Sequence, residues 1–111
     1  MIEMTVLSYL EAALNVPIYM EVPEDPETTF VVVQKTGSSK TNYRDSATFA
    51  IQSYAGSLLD AAELNEQVKA AMDDIIVLDE ISRSELNSDY PFTDESEKRY
   101  RYQAVYDLFH Y

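Results

Sequence analysis

Between Val6 and Leu14 apolar side chains recur every three or four residues, at Val6, Leu7, Leu10, Ala13 and Leu14, which is the spacing that lines one face of an α-helix. The pattern predicts a short first helix over 5–14, with Thr5 as its N-cap. Val16 to Val22 holds Pro17, Ile18, Tyr19 and Met20 and is closed by Pro23 and Pro26 among acids, so it reads as a short strand leading into a rigid, charged loop. Thr28 to Thr36 (TTFVVVQKT) is dense in β-branched and aromatic residues without early alternation, which predicts a strand covered on both faces and central in its sheet. Gly37, Ser38 and Ser39 supply a flexible turn, and Arg44 to Tyr54 then alternates, with Ala47, Phe49, Ile51 and Ser53 on one side. Together the two runs predict a long β-hairpin.

After the break at Gly56, Ser57 is placed to cap a second helix, with Asp60 three residues on in capping-box fashion. Leu58, Ala61, Ala62, Leu64, Val68, Ala71, Met72 and Ile75 draw its apolar stripe, and Asp60, Glu63, Glu66, Gln67, Lys69 and Asp73 decorate the other side. From Ile76 the pattern turns extended through Val77, Leu78, Ile81 and Leu86, and a polar, acidic segment broken by Pro91 follows over 87–97, predicting a strand and then a mobile loop. Lys98 to His110 alternates throughout: Tyr100, Tyr102, Ala104, Tyr106 and Leu108 point one way, and Arg99, Arg101, Gln103, Val105, Asp107 and Phe109 the other. It is the clearest strand in the chain.

The order helix, strand, strand, strand, helix, strand, strand contains a central hairpin and no alternating βαβ pattern. It predicts an α+β fold, an antiparallel-rich sheet of about five strands with two helices, the longer packed on one face. The length of 111 residues suits one domain over 1–111, and 46% hydrophobic residues supply a core.

Charge changes the picture most. Twenty acidic residues against eight basic ones give a formal net charge of -12, which repels phosphate backbones and disfavours sequence-specific nucleic-acid binding. Glu3, Glu11, Glu21, Glu24, Asp25 and Glu27 all precede Lys35, the first basic residue, so one surface is expected to be very negative. It serves either as a solubilising coat or as a patch that repels DNA or meets a basic partner. Basic residues are grouped: Lys35, Lys40 and Arg44 flank the expected hairpin tip, and Lys98, Arg99 and Arg101 open the last strand. Opposite charges on separate faces favour head-to-tail association of copies, although scattered solvated charges would read the same.

Reactive chemistry is thinly supplied. Cysteine is absent, which removes disulfides, thiolate metal sites and a thiol nucleophile, and His110 is the one histidine. The carboxylate pairs Glu24-Asp25, Asp73-Asp74, Asp79-Glu80 and Asp94-Glu95 are of the type used by hydrolases and divalent-metal sites, yet an acid-rich chain produces such pairs by chance. Asp89 to Glu97 lacks calcium-loop spacing. Thr36 to Thr41 (TGSSKT) mimics part of a phosphate loop but lies between two expected strands. No catalytic, metal or cofactor site is therefore expected, and the chain does not read as an enzyme. The N-terminal segment has an acid at Glu3 and no basic stretch, so it does not read as a secretory signal; no run approaches the ~20 apolar residues of a membrane span. The nine tyrosines are the notable excess; Tyr100, Tyr102 and Tyr106 suit either a subunit interface or a sheet face under a helix.

The ordered set of segments resembles the tail-terminator, or tail-completion, proteins of long-tailed bacteriophages. It comprises an N-terminal helix, the acidic proline loop VPEDPETTF, the strand VVVQKTG, the strand SATFAIQSYA running into the helix SLLDAAELNEQVKAAM, and the tyrosine-rich strand RYRYQAVYDLFHY. The resemblance covers nearly the whole chain and carries no catalytic signature. It implies a homo-oligomeric, hexameric ring at the head-proximal end of the virion's tail, assembled in the host cytoplasm, with the tail tube protein on one face, head connector proteins on the other and DNA passing through the lumen. The alternative is an acidic adaptor domain that binds a basic protein partner. Lys35, Lys40, Arg44, Arg99 and Arg101, the tyrosines Tyr100, Tyr102 and Tyr106, and the acids Glu24, Asp25 and Glu27 are the candidate contact residues.

Overall fold

The computed structural model describes residues 1–41, 44–93 and 99–111. Helix α1 (Ile2–Ala13) precedes a two-residue strand β1 (Ile18–Tyr19); β2 (Phe30–Thr41) and β3 (Arg44–Ala55) form the hairpin; α2 (Leu58–Asp73) and a 3₁₀ turn (Ile75–Val77) lead into β4 (Ile81–Pro91) and β5 (Tyr100–His110). The five strands make one sheet in the order β1-β2-β3-β5-β4, with β1 parallel to β2 and every other pair antiparallel. The α+β class and the order of elements are as the sequence predicts.

Both helices pack on the same face of the sheet. Val6, Leu10 and Leu14 of the α1 region and Leu64, Val68 and Met72 of α2 close over Val31, Val33, Ala47, Phe49, Ile51, Ala104, Tyr106 and Leu108. These sheet residues are alternate positions of their strands, since successive side chains point to opposite faces. Burying each Val, Leu or Met of the helix stripes contributes about 1.5–3 kcal/mol. Helix α2 begins as its sequence predicts: the Ser57 hydroxyl accepts from the Asp60 amide at 3.1 Å. Tyr9 fastens the helices together by donating to the Ala71 carbonyl at 2.8 Å. No helix is long and apolar enough to cross a membrane among the described residues.

Six local expectations are corrected. The strand expected from Ile76 begins only at Ile81, because Ile75–Val77 form a 3₁₀ turn that buries Ile75. Helix α1 starts at Ile2, and Thr5 is not its cap but donates its hydroxyl to the Met1 carbonyl at 3.1 Å. Ile2 lies one turn before Val6 and packs against the core, so it extends the apolar stripe backwards. The strand expected over 16–22 shrinks to Ile18–Tyr19. Strand β2 does not turn at Gly37 to Ser39; it runs on to Thr41, paired residue by residue from Gly37↔Thr48 to Thr41↔Arg44 after a register shift between Lys35 and Gly37. Thr36 is the extra residue at that shift, without a ladder partner of its own, and the Ser39 and Ser46 hydroxyls lie 2.6 Å apart across the ladder. Nor is β2 central. It is buried on both faces over Val31–Val33 but lies second from the edge, and β3 holds the centre. Finally, β4 extends through Pro91, so 87–91 is strand rather than loop. Backbone pairing to β5 does not require apolar side chains at a sheet edge, and edges are where charged residues and proline are tolerated. The remainder of the expected loop, 94–98, and with it Lys98, lies outside the described residues.

Candidate functional site

The face of the sheet opposite the helices gathers the most elaborate side-chain arrangement in the molecule. Alternation in β5 directs Arg101, Gln103, Val105, Asp107 and Phe109 there, and register places Tyr54 beside Arg101, Gln52 beside Gln103 and Thr48 beside Asp107. The pairings are used. Arg101 Nη1 donates to the Tyr54 hydroxyl at 2.7 Å, Tyr54 donates to Gln52 Oε1 at 3.3 Å, Gln52 Nε2 donates to Gln103 Oε1 at 2.9 Å, and Gln103 Nε2 donates to the Tyr90 hydroxyl at 2.6 Å. All four bonds run in one direction from a guanidinium, so each polarises the next. Further along, Thr48 donates to Asp107 at 2.7 Å, and Asn87 donates to the other oxygen of that carboxylate at 3.1 Å.

Aromatic rings extend this band to both edges of the sheet. Tyr19 of β1 meets Phe30 of β2 edge-on at 6.0 Å, and Phe30 stacks on Tyr54 of β3 at 4.4 Å with the planes 8° apart. Beyond Tyr54 the Arg101 guanidinium lies 4.3 Å from the centre of the Phe92 ring, and Phe92 meets Tyr90 at 6.0 Å. The Phe92 contact is the cation–π interaction proper. At 5.6 Å from the Tyr54 ring centre and hydrogen-bonded to its hydroxyl, Arg101 sits at the rim of that ring rather than over its face. Arg101 Nε also donates to the Phe92 carbonyl. Phe30 and Tyr54 are each only 2% exposed, and with Val32 they form a second small core separate from the one under the helices.

An open cleft of about 360 Å³ lies at the Tyr54 end of the band. Phe30 and Tyr54 line it from the sheet, Glu24, Asp25 and Glu27 come from the proline loop, and Arg99 lies at the entry to β5. Gly56 ends β3 beside this loop; a Cβ there would stand 3.3 Å from Thr28 Cγ2, so the loop's approach is set by a residue without a side chain. Glu27 accepts from the Tyr19 hydroxyl at 2.7 Å. That bond holds the Glu27 carboxyl below its ordinary pKa and raises the Tyr19 phenol above its own. Among the described residues, three carboxylates against one guanidinium leave the cleft negative.

The sequence candidates are thus dispersed over several places. Glu24, Asp25, Glu27 and Arg99 meet in the cleft, with Arg101 next to it. Lys40 and Arg44 lie exposed at the far end of the hairpin, and neither has a carboxylate partner among the described residues. Lys35 is not at the tip but in mid-strand, ion-paired to Glu3 at 3.1 Å; backbone hydrogen bonding first, and this contact after it, lower the Glu3 pKa. Tyr100 is 41% exposed and Tyr102 is partly buried. Tyr106 is no contact residue: it is 0% exposed beneath α2 and donates to Asp73 Oδ1 at 2.9 Å and to the Lys69 carbonyl at 3.1 Å. Burial foremost, and the Asp73 carboxylate after it, push its phenol far above the ordinary value. Around it Lys69 bridges Glu66 at 2.8 Å and Asp89 at 3.4 Å, tying α2 to β4.

Elsewhere the described residues place no three His, Asp or Glu side chains where they could share a metal ion. The segment resembling a phosphate loop is part of β2. Phe30, Tyr54, Phe92 and the Gln52–Gln103 pair were not singled out in the sequence. Their signal was the second half of each alternation, the side of β3 and β5 facing away from the apolar stripe. No known protein family matches the chain, and no curated protein is significantly similar to it.

Proposed function

We propose that the chain is a structural subunit that assembles with copies of itself into a ring at the head-proximal end of a phage tail, capping the tail tube and joining it to the head connector. One observation carries the reading. A continuous five-stranded sheet holds both helices on one face and, on the other, carries an aromatic and glutamine band crossing every strand, buried in its middle at Phe30, Tyr54 and Gln52 and exposed at its Tyr90–Phe92 end, with no described helix over it. Tyrosine, phenylalanine and arginine on a rigid surface are the residues that anchor protein contacts. The formal net charge of -12 supports the same reading, because a negative lumen lets DNA pass without sticking.

The resemblance to tail terminators supplies the identity of the partners, a tail tube ring on one side and connector proteins on the other. Incubating the purified protein with isolated tail tubes tests it: electron microscopy is expected to show a ring on one end of each tube and arrest of further tube growth. A protein that stays monomeric at high concentration and leaves tubes bare overturns the reading. The acidic cleft also suits an adaptor that takes a basic segment of another protein; salt-sensitive binding of such a partner without self-association would favour that alternative.

A further inference from the structure

Two features at opposite ends of the β2–β3 hairpin complement each other in charge. At one end the cleft offers Glu24, Asp25 and Glu27 above the Phe30–Tyr54 stack. At the other, Lys40 near the end of β2 and Arg44 at the start of β3 are both exposed. The register from Phe30↔Tyr54 to Thr41↔Arg44 separates these ends by eleven residues of β2. At roughly 3.3 Å per residue that is about 36 Å of extended backbone. Since β3 is paired on both sides along this length, the hairpin is stiff and its tip does not reach its own cleft. The cations and carboxylates therefore meet only between molecules.

Resting on the self-assembly reading above, we propose that the hairpin end of one copy enters the acidic cleft of the next, with Lys40 and Arg44 against Glu24 and Asp25. Such a contact is head-to-tail: each copy uses a different surface to give and to receive, so the chain of contacts closes into a ring or runs on as a filament. Glu27, held by Tyr19, forms the fixed wall of the cleft, and the nearly buried Phe30–Tyr54 stack forms its floor. Among the described residues Arg99 is the one opposing cation in the lining, and it sets a limit on how tightly the tip is held. Charge of this kind directs register and partner choice, and it weakens as salt shortens the screening length from ~10 Å at 0.1 M to ~3 Å at 1 M.

The head-to-tail geometry allows a decisive test with two variants altered only at exposed positions. K40E/R44E carries an acidic tip and the native acidic cleft; E24K/D25K carries a basic cleft and the native basic tip. Each is expected to lose self-association by at least about tenfold, and an equimolar mixture is expected to recover it as an alternating 1:1 assembly, because each tip then finds a cleft of opposite sign. Circular dichroism and thermal melting of each variant alone establish that both are folded. Unchanged self-association of either variant, or no recovery in the mixture, overturns the contact while native self-assembly stands. A native protein that does not associate removes both this contact and the ring.

Discussion

Replacing Tyr106 by phenylalanine separates the core role of this residue from a role in contacts. The ring stays and fills the space beneath α2, so the perturbation is loss of one hydroxyl that donates to Asp73 at 2.9 Å and to the Lys69 carbonyl at 3.1 Å. Hydrogen bonds to charged acceptors are worth about 1.5–3 kcal/mol. Asp73 is exposed and regains water once the hydroxyl is gone, so the lower part of that range, about 1.5–2 kcal/mol, is expected. Urea denaturation of dilute protein at pH 7 should show the midpoint falling by roughly 0.5–1 M with an unchanged slope. The pH dependence sharpens the test. Native contacts favour the neutral phenol and raise its pKa above the unfolded value of about 10, so their stabilisation is complete below pH 10 and drains away as pH rises beyond it. Stability of the native chain should fall above pH 10 more steeply than that of Tyr106→Phe. Equal urea midpoints at pH 7 with parallel alkaline limbs would refute the reasoning, and unchanged monomer stability with altered self-association would return Tyr106 to the contact surface.

Other perturbations test separate parts of the molecule. Ser57→Ala removes the hydroxyl that accepts from the Asp60 amide and should cost about 1 kcal/mol in chemical denaturation, with restoration by Asp or Asn. Gln52→Ala and Gln103→Ala each leave an amide partner unmatched on the band; a double-mutant cycle should give a coupling of about 0.5–3 kcal/mol, and additive losses would show the relay to be incidental. Backbone hydrogen bonding first and Lys35 second lower the Glu3 pKa, so their stabilisation is present above the unfolded value and lost as pH falls; Lys35→Met removes the second share, and acid titration should show a slightly shallower loss of stability in the variant. Arg101→Lys keeps the charge but not the planar fork that reaches Tyr54 and Phe92, and should weaken self-association while leaving the helix-side core intact.

Periodicity carried most of the fold. The stripe from Ala61 to Met72 and the alternation from Tyr100 to Phe109 located α2 and β5 because each buries one face, and burial selects side chains. Where backbone pairing rather than burial decides the structure, the signal fails. Ser38 to Lys40 and Asn87 to Tyr90 are polar, yet both are strand, since a ladder partner already stood beside them. Tyr106 shows a third limit. Its alternation placed it correctly on a face with Ala104 and Leu108, but only the docking of α2 reveals that this face is closed. The site is legible in parts: Glu24, Asp25, Glu27 and Arg99 were candidates as charges, whereas their meeting over Phe30 and Tyr54 depends on the proline loop folding back to the end of β3.

Self-assembly is the claim on which the functional reading depends, and sedimentation velocity of the native protein over a wide range of concentration at low and high salt measures it directly. A closed ring predicts one discrete heavy species whose size stays constant as concentration rises and which dissociates at high salt. A single boundary at 12.7 kDa under every condition would contradict it.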